Sequence, residues 1–192
     1  LLGKQENGEY VMGHLEDSKE TLTLQTKGRI IRISREMIVN DDMDALSRLP
    51  AMMGAQAALN EIRVVYGLLK ANAKMGEDGK ACFHADHGNL ITGAGSPDID
   101  TLGAIRTKLR TQKSKAAKGE QGYALNTPLQ TLIVPASLET KADQVTADVT
   151  PGVIAAANQA FKDIEVIVEA ELDADSTKAF YGLGDPALVD GI

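Results

Sequence analysis

A chain of 192 residues is long enough to bury the core of one domain or of two small lobes. Its net charge of −7 argues against binding to nucleic acid through bulk charge, and its four tyrosines, three phenylalanines and absent tryptophan argue against a large aromatic-lined ligand pocket. The single cysteine excludes an internal disulfide bond and suits a reducing compartment, and no stretch approaches the roughly 20 apolar residues of a membrane-spanning helix.

The N-terminal part of the chain predicts a β-hairpin. Glu9–Leu15 and Thr21–Thr26 are candidate strands, and the charged residues 16–20 form the turn between them. In the second strand, Leu22 and Leu24 alternate with polar residues. Because a two-stranded hairpin is marginally stable alone in water, we expect it to fold back on its own domain or to lie across a neighbouring molecule.

The next stretch predicts a strand followed by two helices. Arg29–Ser34 is rich in β-branched residues and forms the strand. Residues 40–42 supply side-chain oxygens that can cap a helix start, and Pro50 suits the first position of a helix. We therefore predict a short helix near Asp42–Arg48 and a main helix near Pro50–Ala71.

The main helix is amphipathic. Its apolar stripe recurs at steps of three and four residues, which indicates a helix packed on a core. Its alanines and Gly54 allow close approach of the backbone to the surface on which it packs. The stripe consists of Met52, Ala55, Leu59, Ile62, Tyr66 and Leu69.

Residues 71–95 are rich in glycine and lack periodicity, which predicts an ordered loop. The loop contains four possible metal ligands, Cys82, His84, Asp86 and His87. Their spacing matches no closed zinc pattern, and no second Cys/His pair follows, so a hydrogen-bonded turn is favoured. A metal-dependent hydrolase built around His84, Asp86 and His87 is the alternative.

A further helix is predicted to begin at Ser96, a candidate N-cap, with Pro97 in its first turn. The far end of this helix and the residues after it are basic over Arg106–Lys118. A solvated helix end, whose cations complement the helix dipole, is favoured. A DNA-binding module that uses Arg106–Lys118 is the alternative. The predicted apolar side of the helix consists of Ile99, Leu102, Ile105 and Leu109.

The C-terminal third predicts a strand, a helix and a hairpin. Leu129–Val134 is a strand of the buried type, and Ser137 can cap the helix that follows. Ile164–Leu172 alternates apolar and polar residues, and it is predicted to pair with Lys178–Leu183 as a β-hairpin. The inward-facing side chains of the helix are predicted to be Leu138, Ala142 and Val145.

Common catalytic motifs are missing from the sequence. It has no glycine–lysine phosphate loop, no G-x-S-x-G elbow and no H-E-x-x-H helix. Glu165, Glu169 and Glu171 share one predicted strand, but they lack the matched second carboxylate of an acid–base pair. We therefore predict a protein that is not an enzyme, with no catalytic residue, no cofactor and no bound metal.

Several longer motifs occur together along the chain. They are GRIIRISREMIVNDDMDALSRLPAMMGAQAA at residues 28–58, FHADHGN at 83–89, the spaced set LN-x-P-x₃-LIVP-x₂-LE at 125–139, IEVIVEAELD at 164–173 and AFYGLGDP at 179–186. This set, in this order, resembles the major head subunit (major capsid protein) family of Mu-like phages. The resemblance covers most of the chain, as far as Pro186.

The resemblance implies an α+β fold of the tailed-phage major capsid type (Hong Kong phage type), with antiparallel strands beneath a long spine helix. Residues 1–35 would form an extended hairpin, residues 36–125 and 160–192 a peripheral domain, and residues 126–159 a segment like the axial domain. We expect the fold to be incomplete at both ends. The absent initiator methionine also suggests a piece of a longer protein, and no signal peptide is predicted.

The resemblance also implies partners and a location. The partners would be other copies of the chain and packaged DNA, bound non-specifically, with no membrane involved. The location would be the capsid of a phage or prophage virion, which is assembled in the cytoplasm of the bacterial host.

Overall fold

The structure, a computed structural model, contains both helices and strands. It describes residues 34–40, 43–76, 78–114, 122–147, 163–174 and 176–188, together with Thr26, Gly28, Ile30, Arg32 and Phe161. The helices and strands are α1 (Arg35–Asn40), α2 (Met43–Ala71), α3 (Ile99–Thr111), β1 (Leu129–Val134), α4 (Glu139–Thr146), β2 (Glu165–Val168) and β3 (Tyr181–Gly184). This mixture of helices around a small sheet agrees with the predicted α+β class. Within the described ranges, no helix is both long and apolar enough to cross a membrane.

Strand β1 is the centre of the three-stranded sheet, which has the order β2-β1-β3. β2 runs parallel to β1, with Leu132 opposite Val166, and β3 runs antiparallel to β1, with Leu132 opposite Gly182. The predicted hairpin between Ile164–Leu172 and Lys178–Leu183 is therefore wrong, because its two strands lie on opposite edges of β1. The backbone leaves the sheet after β2 in a 3₁₀ turn at Ala170–Leu172, and β1 lies between β2 and β3.

The hydrophobic core lies where α3 and α4 pack on the sheet. Its fully buried members include Leu102 of α3, Leu132 and Val134 of β1, and Ala142 of α4. Leu138 is 6% exposed, and Val145 packs against the same cluster, so the predicted inward face of α4 is confirmed.

Helix α2 is continuous through Pro50, so the predicted boundary at that residue is wrong. A proline nitrogen cannot donate, which removes a single hydrogen bond to the carbonyl four residues earlier. The flanking alanine, leucine and methionine residues favour helix strongly enough to tolerate that loss.

The segment before α1 also differs from its prediction. The described residues Ile30, Arg32 and Ser34 belong to no strand, although Arg29–Ser34 was expected to form one, and Ile30 is 87% exposed. The residues that follow form α1, a helix that was not predicted from the sequence. The predicted hairpin of Glu9–Leu15 and Thr21–Thr26 lies outside the described residues except for Thr26.

The caps of α3 and α4 differ from those expected. Asp98 caps α3 by accepting a hydrogen bond from the Thr101 backbone N–H at 2.7 Å, and the Thr101 hydroxyl oxygen accepts from the Asp98 N–H at 2.9 Å. Ser96, the predicted cap, contributes its carbonyl to the Thr101 hydroxyl. Ser137 donates its hydroxyl to the Thr177 carbonyl instead of capping α4, because a 3₁₀ turn separates it from the helix.

Two glycine substitutions should change stability in opposite directions. A Cβ atom on Gly182 would lie 2.6 Å from Cγ2 of Ile105 and 2.9 Å from Cδ1 of Leu129. We expect Gly182→Ala to lower the free energy of unfolding by about 1–3 kcal/mol through overpacking. A Cβ atom on Gly103, within α3, would meet nothing within 4 Å. Gly103→Ala should therefore raise the free energy of unfolding by about 0.5–1 kcal/mol. Urea denaturation of both variants tests this pair, and a destabilised Gly103→Ala would contradict it.

Candidate functional site

The loop that follows α2 is ordered by its own backbone. Lys74 and Ala81 form an antiparallel bridge, and the Met75 N–H donates to the Lys80 carbonyl at 2.7 Å. A 3₁₀ turn, Ala85–His87, follows and places three of the four predicted ligand candidates near one another. The rings of His84 and His87 lie 5.9 Å apart in an edge-to-face arrangement.

His87 is held by acceptors on both sides of its ring. Its Nε2 lies 2.7 Å from Oδ2 of Asp78, and its Nδ1 lies 3.0 Å from the Cys82 carbonyl oxygen. A carboxylate and a carbonyl can only accept, so both hydrogen bonds form together only when the ring carries two N–H groups. The hydrogen bond to Asp78 accordingly raises the pKa of His87 and lowers the pKa of Asp78.

His84 and Asp86 also have partners within the loop. Nδ1 of His84 accepts a hydrogen bond from the Asp86 backbone N–H at 3.1 Å. Nζ of Lys80 lies 2.7 Å from Oδ2 of Asp86, and this hydrogen bond lowers the pKa of that carboxyl. Among the described residues, no group of three or more His, Cys, Asp or Glu side chains is arranged to hold a metal ion. The geometry is therefore that of a hydrogen-bonded turn.

Two asparagines that the sequence reasoning missed anchor this loop. Asn72 donates to the Phe83 carbonyl at 3.1 Å and accepts from the Phe83 N–H at 2.7 Å. Asn89 donates to the Cys82 carbonyl at 2.8 Å. The backbone of Asn72 has φ of 42°, and an asparagine directly after a helix is a recognised signal for this left-handed conformation.

The basic segment Arg106–Lys118 contains several residues with partners inside the subunit. The Arg106 guanidinium lies over the Phe161 ring, 4.9 Å from its centroid. Lys108 donates to the Gly88 carbonyl at 3.0 Å, and Arg110 donates to Oδ1 of Asn126 at 2.8 Å. Lys115 and Lys118 lie outside the described residues. These three contacts give part of the positive charge of the basic segment a role inside the subunit. That part of the charge therefore does not require a nucleic-acid partner.

A cavity of about 390 Å³ lies between the end of α2, the loop, α3 and β3. Three of the seven aromatic side chains of the chain line it, Phe83, Phe180 and Tyr181. The rings of Phe83 and Tyr181 are 5.3 Å apart and join the loop to the sheet. Composition argued against a large aromatic-lined pocket, but the fold brings three of the few aromatic side chains together in the wall of this cavity.

Helix α2 contacts the rest of the described chain mainly at its C-terminal end. Nε of Arg63 lies 2.8 Å from Oε1 of Glu171, and Lys70 donates to the Glu171 carbonyl at 3.0 Å. Every residue from Pro50 to Val65 is exposed, including most of the predicted apolar stripe. Among the described residues, α2 packs on the 3₁₀ turn at Ala170–Leu172, and the expected packing of strands beneath the helix stays a prediction.

The Asp78–His87 pair should make stability depend on pH. The raised pKa of His87 stabilises the fold below its ordinary value of 6.5, and this contribution is lost as pH rises through the raised pKa. The lowered pKa of Asp78 stabilises the fold above its ordinary value of 3.8, and this contribution is lost as pH falls through the lowered pKa. The contribution of the pair is thus greatest between these two ordinary values.

We expect the urea midpoint of the wild type to fall as pH rises from about 6 to about 8, and Asp78→Asn to reduce that fall. Asp163→Asn, at an exposed position, is the matched control and should leave the pH dependence unchanged. An Asp78→Asn protein with the wild-type pH profile would contradict the role of this pair.

Comparison with protein families identifies a match. The profile of a phage capsid protein family matches residues 18–192. No curated protein and no solved structure matches the chain significantly. Because the family match extends over most of the sequence and over all the helices and strands described above, the chain belongs to the phage capsid protein family, a family of structural proteins.

Proposed function

We propose that this protein is a subunit that assembles with other copies of itself into the shell of a phage head and encloses DNA. The family match over residues 18–192 is the observation that carries the proposal. Packaged DNA would be enclosed without recognition of its sequence, as the resemblance to capsid proteins implies. Three residues of the basic segment contact groups inside the subunit.

The exposed apolar surface of α2 supports a subunit that is completed by neighbours. Met52 is 62% exposed and Leu59 is 45% exposed, whereas the core residues of the sheet are fully buried. Burial of apolar surface stabilises an interface by about 25 cal/mol per Å². In a shell, rings of subunits would use head-to-tail interfaces that close by rotation.

The finer assignment rests on the sequence motifs. We propose a major head subunit of the Mu-like type, in a phage or a prophage, with a fold of the Hong Kong phage type. Residues 1–35 would be the extended hairpin, 36–125 and 160–192 the peripheral domain, and 126–159 the axial segment. Assembly would take place in the host cytoplasm, without membrane contact and without enzymatic activity.

Electron microscopy of the full-length protein tests the proposal. We expect purified protein, or protein co-expressed with its neighbouring head genes, to form closed shells of uniform diameter. Metal analysis of the same preparation is the control for the hydrolase alternative. A species that never forms shells, and that contains stoichiometric metal lost on His84→Ala, would contradict the structural role and favour the hydrolase.

A further inference from the structure

The cavity between the end of α2, the loop, α3 and β3 has the size of a small-molecule site. Its volume of about 390 Å³ lies near the lower end of the range of roughly 300–1,000 Å³ that such sites span. Four separate stretches of the chain supply its walls, and most of the residues that line it are apolar. One of them, Leu90, is 40% exposed, so a ligand in the cavity would remove apolar surface from water. The walls therefore favour a ligand with a short apolar body.

The charged side chains that line this cavity are all of one sign. Lys70, Lys108 and Lys178 contribute to the walls, whereas none of the described residues in the lining is an aspartate or a glutamate. This local positive charge opposes the net charge of −7 of the whole chain. The three lysines come from α2, α3 and the segment before β3, so the fold brings them together from distant parts of the sequence. A cavity of this charge favours an anion.

The contacts of these lysines leave their charge uncompensated within the described part of the chain. Nζ of Lys70 donates to the Glu171 carbonyl and Nζ of Lys108 donates to the Gly88 carbonyl, each at 3.0 Å. Both partners are neutral, and the described residues form no ion pair with Lys70, Lys108 or Lys178. An ammonium group has three N–H donors, so further donors remain for an anionic acceptor. A carboxylate is such an acceptor, because hydrogen bonds between charged groups are the stronger ones.

We propose that this cavity binds a small carboxylate with a short apolar body, such as a medium-chain fatty acid. The body would lie against Leu90 and the paired rings of Phe83 and Tyr181, and the carboxylate would lie towards the lysines. The mostly apolar lining argues against a polyanion such as a nucleoside triphosphate, because most of the wall offers no partner to additional phosphate groups. The inference concerns the single subunit and does not rest on the proposed function.

Titration of the isolated full-length protein with octanoate, followed by amide NMR spectra, tests the site. We expect the amide signals of Phe83, Leu90 and Tyr181 to shift in a saturable manner, since these residues line the cavity. Octanol has the same apolar body without the charge. It should cause shifts at the same residues and bind about fivefold more weakly, because it forms no ion pair with the lysines.

Two exposed lining residues separate the contribution of the charged head from that of the apolar body. Lys178→Gln should weaken octanoate binding about threefold to fivefold and leave octanol binding unchanged. Leu90→Ala should weaken the binding of both ligands about threefold or more, because it removes apolar contact from the wall. Lys113→Gln and Ile99→Ala are the matched controls, since both positions are exposed and lie outside the lining. They should bind both ligands like the wild type, and all four variants should keep urea midpoints close to that of the wild type.

Several results would overturn this proposal. Absence of saturable shifts in the wild type would refute the site, and octanoate binding that Lys178→Gln leaves unchanged would refute the role of the lysines. Displacement of octanoate by an equal concentration of inorganic phosphate would show a site for bare anions without an apolar requirement. Loss of octanoate binding as the protein concentration rises would show that a second copy fills the cavity. If octanoate binds as expected but shells never form, the proposed function falls and this inference stands.

Discussion

The described fold depends on β1, the central strand of the sheet, whose two edges are both paired and four of whose six residues are buried. Its backbone pairs with β2 on one side and β3 on the other, which satisfies polar groups that burial would otherwise leave unpaired. Leu132 and Val134 are fully buried under α3 and α4. Since a central strand is paired at both edges and carries most of the buried apolar side chains, it is the place where an apolar run contributes most to stability. The helices and edge strands are positioned by their contacts with it.

Local patterns predicted the elements that form this core. The apolar run of β1 and the inward face of α4 were both readable from residue type and spacing, because burial there follows the backbone period. Strand pairing was not readable in the same way. Ile164–Leu172 and Lys178–Leu183 look like a hairpin in sequence, but β1, the most buried of the three strands, lies between them. Pairing is set by competition among all strands, which a window of sequence does not contain.

In the loop after α2, too, the sequence predicted which residues are chemically capable but not which partners they contact. Its histidines and Asp86 could be recognised from sequence as chemically capable groups, and the absence of a zinc spacing favoured a hydrogen-bonded turn. The partners that determine their chemistry could not be recognised. Asp78 forms a hydrogen bond with His87 across a backbone bridge. Asn72, whose own backbone is left-handed, forms a hydrogen bond with Phe83. These contacts depend on turn geometry rather than on spacing.

The exposed part of α2 would link folding to the proposed assembly. Most of the stability of a helix in a protein comes from tertiary packing, and Pro50 also removes one backbone hydrogen bond from α2. The residues from Pro50 to Val65 receive little packing from the described part of their subunit. Any surface that covers them stabilises the helix and the contact at once, so the two free energies are coupled. A subunit built in this way would hold its projecting helix most firmly where neighbours are present, which is the behaviour that a shell protein requires.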